Sequence, residues 1–411
     1  MSSPCSSPQP VVSSELAAAP RKLKIAIVCD AVTDFLGGAL MSTNRFAERL
    51  VQRGHSVVYI TGKSPQNQSN GYHGPIEVFR FRSVPAPYYD GRFYLGLPRR
   101  REIETILRDR QIDLVHIMLP MPSGLVAMRA AQRLGIPVVN HSHMLPEHLF
   151  LNLPAFLPKQ WLNRCFFRYA EWYYGQSNAV VFPTRACRQL FSSLVDSDTH
   201  VISNGVDTEL FRQGSAASFH DKFGIKRNQR TLLFVGRLHP EKNIATVIKA
   251  APRLLRDHPD LHLLIVGDGY LRDDLHRMAS ELAIAANVTF CGALRGDDLI
   301  GAFNAADLFV LPSAAEIEPL VLMEAMACGK PLVVSDGWQG STSFVEDGNG
   351  MVFSVGNHDD LAAKVSALLS DPERLRAMGQ RSFERSRQLD IRQSVAALEA
   401  LYYSLLPAAA S

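Results

Sequence analysis

Six cysteines in 411 residues, Cys5, Cys29, Cys165, Cys187, Cys291 and Cys328, form no C-x-x-C pair and no Cys/His spacing of a zinc site. Several stand in apolar runs, where a thiol behaves as a small hydrophobe, and the usage fits a reducing cytoplasm. Long hydrophobic runs are missing as well: none approaches the ~18–20 residues that a membrane span needs. Residues 1–21, rich in Ser, Pro and Ala, have no basic n-region or sustained apolar core, so a disordered tail is expected there and not a signal peptide. No strand leads into G-x-G-x-x-G, which disfavours a nicotinamide cofactor. No Asp-x-Asp stands in a loop suited to a divalent cation. Asp273-Asp274 and Asp297-Asp298 read as solvated helix charges. The sequence therefore calls for no metal and no cofactor, and nothing in it calls for nucleic acid.

What is present is ordinary globular material. Hydrophobic residues at 46% and charged residues at 20% can fill two cores, and 411 residues exceed one domain at about 100–200 residues each. The net charge of +3 is unevenly spread, with +8 over residues 1–203 and −5 over 204–411. The first half is expected to favour anionic surfaces such as membranes, plain solubility being the alternative.

Short apolar runs alternate with amphipathic stretches, the pattern of parallel strands covered by helices on both faces. Runs at 23–29, 56–61, 76–81, 113–118, 137–141 and 179–182 read as strands, with helices over 40–53 and 123–134. The pattern restarts with strands at 231–236, 261–266, 287–290, 307–311 and 331–335. The fold class is α/β: two doubly wound domains over 22–203 and 204–388 that face across a cleft. A last helix within 389–411 packs back toward the first domain. Ligands of such sheets bind at the carboxyl ends of strands, so the cleft is the expected site.

Four groups of residues carry chemistry toward that cleft. Glu316 and Glu324 have seven residues between them. The first follows the strand 307–311 and the second lies on the helix after Pro319. Carboxylates suit sugar and ribose hydroxyls, which donate charge-assisted hydrogen bonds to them, two exposed helix charges being the alternative for the pair taken alone. Gly236-Arg237-Leu238-His239-Pro240-Glu241-Lys242-Asn243 follows another strand and brings two cations to a place where a diphosphate can approach. Gly37-Gly38 precedes the first helix and permits close backbone approach, or simply a tight turn. Asn140-His141-Ser142-His143 closes the strand at 137–141. Its two histidines are expected to diverge, so they make a poor metal pair and leave one facing the cleft. A polar loop without a ligand is the alternative.

These strings resemble the family 4 glycosyltransferases of GT-B fold from about residue 22 onward. The resemblance is carried by DFLGGALMSTNRFAERLVQRGHSV, PVVNHSH, VISNGVDTELF, FVGRLHPEKN, LLIVGDGY, VTFCGAL and EIEPLVLMEAMACGKPLV. It implies a retaining, metal-independent hexosyltransferase using a nucleotide-sugar donor, a UDP-sugar or else GDP-mannose. Glu316 would hold the donor sugar and Glu324 the ribose. Arg237 and Lys242 would neutralise the diphosphate. His143, with His141 beside it, would meet the sugar near the reacting carbon. Gly37, Gly38, Gly236, Gly292 and the amides of Leu320 and Val321 would line the donor, and the segment 290–293 would flank the base. In such enzymes the departing phosphate oxygen takes the acceptor's proton. Two departures stand out: the common Phe-Gly after the first Glu is Glu318-Pro319, which removes an amide donor, and the Glu usual in the next loop is Ser343.

For the acceptor, HSHMLPEHLF and EIEPLVLMEAMA are most similar to glucosyl-diacylglycerol-type and sulfoquinovosyl-type lipid enzymes. That resemblance implies a membrane lipid acceptor; with the cysteine usage and the basic first half, a cytoplasmic protein docked peripherally on the inner face is expected. Arg99-Arg100-Arg101 and the aromatic stretch 161–174 are the candidate contacts, core packing being the other reading of the aromatics. A soluble sugar or small metabolite is the alternative acceptor. A GT-B nucleotide-sugar epimerase, which would react without any acceptor, is the alternative of another class.

Overall fold

The computed structural model describes residues 21–30, 37–85, 94–146, 158–191, 198–345 and 348–407. The expected tail, apart from Arg21, and the loop residues Asp34, Phe35 and Leu36 lie outside them. The first sheet contains β1 (Lys24–Val28), β2 (Ser56–Gly62), β3 (Gly71–His73) and β4 (Ile76–Phe81). A small antiparallel pair follows, β5 (Ser83–Pro85) with β6 (Tyr94–Gly96). The sheet continues with β7 (Leu114–Ile117), β8 (Val138–His141), β9 (Ala179–Phe182) and β10 (Thr199–Val201). Its order is β10-β9-β8-β7-β1-β2-β4-β3, parallel except where β3 meets β4.

The second sheet is wholly parallel, with the order β13-β12-β11-β14-β15-β16. Its strands are β11 (Arg230–Val235), β12 (Leu261–Val266), β13 (Val288–Gly292), β14 (Leu308–Leu311), β15 (Leu332–Ser335) and β16 (Gly350–Phe353). Central strands such as LVVS and LFVL are buried at every position, which explains why they read as unbroken apolar runs and not as alternating ones.

The chain crosses between the sheets at two adjacent places. Val206 forms a parallel bridge with Asp390, through Val206 N–H to the Leu389 carbonyl at 2.8 Å and Ile391 N–H to the Val206 carbonyl at 2.9 Å. Gly205 has φ +71°, and a Cβ there would stand 2.7 Å from the Ile391 Cα, so only glycine fits this crossing. The C-terminal helix, Ile391–Ser404, then packs on the first helix, Gly38–Gln52. Ile391, Val395, Leu398, Leu401 and Tyr402 belong to the core of the first sheet. The contact is also polar. His55 Nδ1 accepts the Leu23 N–H, so its Nε2 carries the proton toward Glu399 Oε1 at 2.6 Å. Tyr402 Oη and His116 Nδ1 share a hydrogen bond of 2.7 Å.

Each sheet has one point where strand order reverses, and there the loops leaving adjacent strands diverge and open a crevice. In the second sheet the reversal lies between β11 and β14. The Arg237 loop leaves β11 and the Glu316 loop leaves β14. In the first sheet the reversal lies between β1 and β7, beside the Gly37-Gly38 turn.

A candidate active site between the two domains

Lys242 and Glu316, which come from the loops on either side of the second switch point, form a nearly buried ion pair. Arg237 Nη2 donates to Glu241 Oε1 at 2.9 Å. Glu241 is itself buried, and its carbonyl accepts the Ala314 N–H at 2.8 Å, so the two loops are tied together. Pro240, with no N–H to lose, opens the short 3-10 turn that presents Lys242. Gly236 and Gly267 allow the β11 and β12 ends to meet, since a Cβ on Gly267 would collide with the Gly236 carbonyl.

Pro319 caps the helix Leu320–Ala327, and this puts Leu320 and Val321 in its first turn, where backbone N–H groups have no intrahelical acceptor. Glu324, buried on that helix, pairs with Arg45 of the first helix. Gly292 ends β13 at φ +69°. Next to it, the Phe290 ring is stacked on His276, with centroids 3.9 Å apart. Gly37 precedes the first helix and Gly38 starts it, and a Cβ on Gly38 would meet nothing within 4 Å. Ser343 donates to the Gly340 carbonyl at 3.2 Å.

The histidines require a correction. His141 and His143 do not diverge: their rings stack with centroids 4.1 Å apart, and His116 also stacks on His141 at 5.5 Å. Residues two apart on extended chain share a face; His141 ends β8, His143 follows two residues on, and His116 comes from the neighbouring β7. Burial holds His116 and His143 down to about 3 and His141 well below its ordinary value, so the stack is neutral. Three buried cations could not share this space. His141 lies fully buried in the middle, which leaves His143 as the outer ring. The His143 Nε2 is buried with no partner among the described residues.

Glu318, which stands where the family has Phe, is the residue whose part the sequence did not disclose. Its Oε2 accepts the Asn204 N–H at 2.6 Å, and the Asn204 side chain accepts from Ser42 of the first helix at 2.6 Å. Beside it Ile317, from the second domain, belongs to the first domain's core. The donor-side loop is thus docked on the interdomain linker. Burial lifts the Glu318 carboxyl from 4.5 to about 7, against the hydrogen bonds from Asn204 and Ser203. Arg45 and Glu241 were also missed, although both lie inside the quoted strings. The available signal for Arg45 was the polar pair Ser42 and Thr43 on the buried face of an amphipathic helix, which marks a face turned toward another polar surface.

A raised carboxyl holds its proton more tightly folded than unfolded. Its stabilising effect is therefore full below pH 4.5 and is lost as pH rises through about 7. Glu318→Gln keeps an acceptor for Asn204 and stays neutral. Thermal melts at pH 5 and pH 8 should show little difference from wild type at the lower pH. At the higher pH the variant should be more stable, by up to ~3 kcal/mol. Equal pH dependence of the two proteins contradicts a charged, buried Glu318.

Comparison with known proteins matches the same two halves. Residues 36–210 match Glycosyltransferase Family 4 and residues 215–385 match Glycosyl transferases group 1. The alpha-monoglucosyldiacylglycerol synthase of Streptococcus pneumoniae is 27% identical over 361 residues, covering 85% of this chain and 79% of that protein. The D-inositol 3-phosphate glycosyltransferase of Stackebrandtia nassauensis is 30% identical over 359 residues, with 82% and 80% covered. Among solved structures, Anabaena HepE in complex with UDP and glucose superposes with a TM-score of 0.72 at 21% identity, over 93% of this chain and 100% of that one. With two Rossmann-like domains closing on one cleft and a relative this similar over most of its length, the chain belongs to the family 4 glycosyltransferases of GT-B fold.

Proposed function

We propose that this glycosyltransferase is a retaining, metal-independent hexosyltransferase that passes the sugar of a UDP-sugar to a hydroxyl of a membrane lipid. The observation that carries the donor half is the convergence of Arg237, Lys242, Glu316 and Glu324 on one crevice, at the switch point where α/β sheets bind ligands. Arg237 and Lys242 supply positive charge for a leaving diphosphate, and Glu316 and Glu324 supply acceptors for sugar and ribose hydroxyls. HepE, of the same fold, was solved with UDP and glucose, which favours uracil over guanine. In the reaction the bond from the anomeric carbon to the phosphate oxygen breaks and the acceptor oxygen bonds to that carbon on the same face. The acceptor proton moves to the departing phosphate oxygen. The chain's contribution is then electrostatic, with fixed cations where negative charge grows. His143, neutral and with Nε2 unpartnered among the described residues, offers a hydrogen bond to the sugar or the acceptor without adding charge.

The lipid half rests on the helix Lys159–Tyr174. Phe166, Ala170, Tyr173 and Tyr174 are buried, which is the core reading of this aromatic stretch. The opposite face is not core: Trp161 is 58% exposed and Trp172 49% exposed. Arg164, Cys165 and Arg168 are exposed between them at helical spacing. Exposed indoles interspersed with exposed arginines suit a bilayer interface. Arg99, Arg100 and Arg101 open another helix, Arg100–Asp109, where Arg100 pairs with Glu104 at 3.1 Å. No helix among the described residues is long and apolar enough to cross a membrane. The pneumococcal relative is by name a synthase of a glucosylated diacylglycerol, which favours the same acceptor class. A soluble acceptor is the reading to be displaced.

Two measurements test the halves separately. Arg237→Ala should lower kcat more than it raises KM for the donor, because charge on the diphosphate grows toward the transition state, and wild-type turnover should persist in excess EDTA. Unchanged kcat with collapsed donor affinity contradicts the electrostatic role, and EDTA inactivation reversed by magnesium contradicts metal independence. For docking, with Arg100 largely compensated by Glu104, about two effective charges remain in the 99–101 cluster. At ~1 kcal/mol each they shift partitioning to anionic vesicles by roughly 30-fold. The Arg99→Ala/Arg100→Ala/Arg101→Ala variant should lose that factor at low salt, and Trp161→Ala/Trp172→Ala should lose binding at any salt. Equal sedimentation of all three proteins, or none by wild type, favours a soluble acceptor.

A further inference from the structure

We infer that Arg45, from the first domain, is part of the nucleotide site of the second and reads the ribose together with Glu324. The inference rests on the reading that Glu324 holds the ribose. Arg45 is two turns into the helix Gly38–Gln52, whose apolar side buries Leu40, Phe46, Ala47 and Leu50 in the first core. Its own side chain leaves that core and crosses the cleft. Nη2 donates to Glu324 Oε1, and the guanidinium carbon lies 5.6 Å from the centroid of the Phe211 ring. The two charged side chains are only 15% and 5% exposed.

The pair is incomplete on both sides. Arg45 Nη1 is buried and has no hydrogen-bond partner among the described residues. Glu324 Oε1 is taken by Arg45, and among the described residues no side chain donates to Oε2. A buried N–H of a cation without an acceptor carries a desolvation penalty. A simple domain clamp would be served better by both nitrogens on the carboxylate, as in the two-pronged Arg110–Glu77 and Arg230–Asp260 pairs of this same chain. An open donor beside an open acceptor, both in a cleft, matches a hydroxyl, which gives one hydrogen bond and receives another. A ribose hydroxyl would donate to Glu324 Oε2 and accept from Arg45 Nη1. The neighbouring links, Ser42 with Asn204 and Arg49 with Asp207, hold the first helix against the second domain so that this arrangement is formed in advance. Nucleotide binding would then fasten one domain to the other through a single sugar hydroxyl.

The test is calorimetric titration with UDP and with its 2′-deoxy and 3′-deoxy forms, on wild type, Arg45→Met, Arg45→Lys and Glu324→Gln. Wild type should bind one deoxy form about tenfold or more weaker than UDP, the scale of a charge-assisted hydrogen bond. In Arg45→Met that penalty should shrink to about twofold while UDP itself weakens. If Arg45→Met folds poorly or binds too weakly to measure, Arg45→Lys carries the same comparison, since an ammonium keeps the charge but not the fork. A deoxy penalty unchanged in the Arg45 variants overturns the inference and leaves Arg45 as a clamp between domains. Glu324→Gln separates the two levels: if it too retains the full penalty, Glu324 does not hold the ribose and the parent reading fails. If only the Arg45 variants retain it, the parent reading stands and the inference alone falls.

Discussion

A buried carboxylate must find a partner, and three of them lie within one nine-residue stretch of this chain. Glu316, Glu318 and Glu324 are all nearly inaccessible to water, where an unpaired charge is costly. Each draws its partner from a different place. Glu316 takes Lys242 from the neighbouring loop of its own domain, Glu318 takes the backbone of Asn204 in the linker, and Glu324 takes Arg45 from the other domain. The demand of these carboxylates for partners therefore ties the donor loop to the sheet, the linker and the facing domain together. The glycine crossing at Gly205 and the return of the chain at Asp390 and Ile391 hold the two domains close enough for these ties to form.

The first domain meets this cluster with a different device. Its strand ends present imidazoles kept neutral by burial, His116, His141 and His143, while Lys242 and Arg45 bring positive charge to Glu316 and Glu324. The same domain is basic and aromatic on the exposed face of the helix Lys159–Tyr174, along Arg164, Arg168, Trp161 and Trp172.

Much of the fold was legible because fully buried parallel strands read as short apolar runs closed by Gly or Pro, as LHLLIV before Gly267 and TLLFV before Gly236 do. The short strands β3, β5, β6 and β10 and the four-residue β16 were not legible, since their identity comes from the partner strand and not from their own sequence. The helix Arg100–Asp109 escaped because only Ile103 and Leu107 of its ten residues are buried. Of the site, the cations and carboxylates at strand ends were visible, because strand-end loops are where such sheets place ligands. The links from Arg45 to Glu324 and from Asn204 to Glu318 join residues 279 and 114 positions apart, and no local pattern encodes them. The histidine pair departs from the expected divergence because side chains two apart on extended chain lie on the same face.

The central claim is that the cleft receives a nucleotide sugar. Thermal denaturation of the intact protein against UDP-glucose, other UDP-sugars, GDP-mannose and NAD as a non-sugar control tests it most directly. A ligand at about a hundredfold excess over its dissociation constant stabilises the folded state by roughly 2.7 kcal/mol, which is readily seen as a rise in melting temperature. The account predicts such a rise with a UDP-sugar and none with NAD. A melting temperature that no nucleotide sugar moves, or that NAD moves as far, would contradict it.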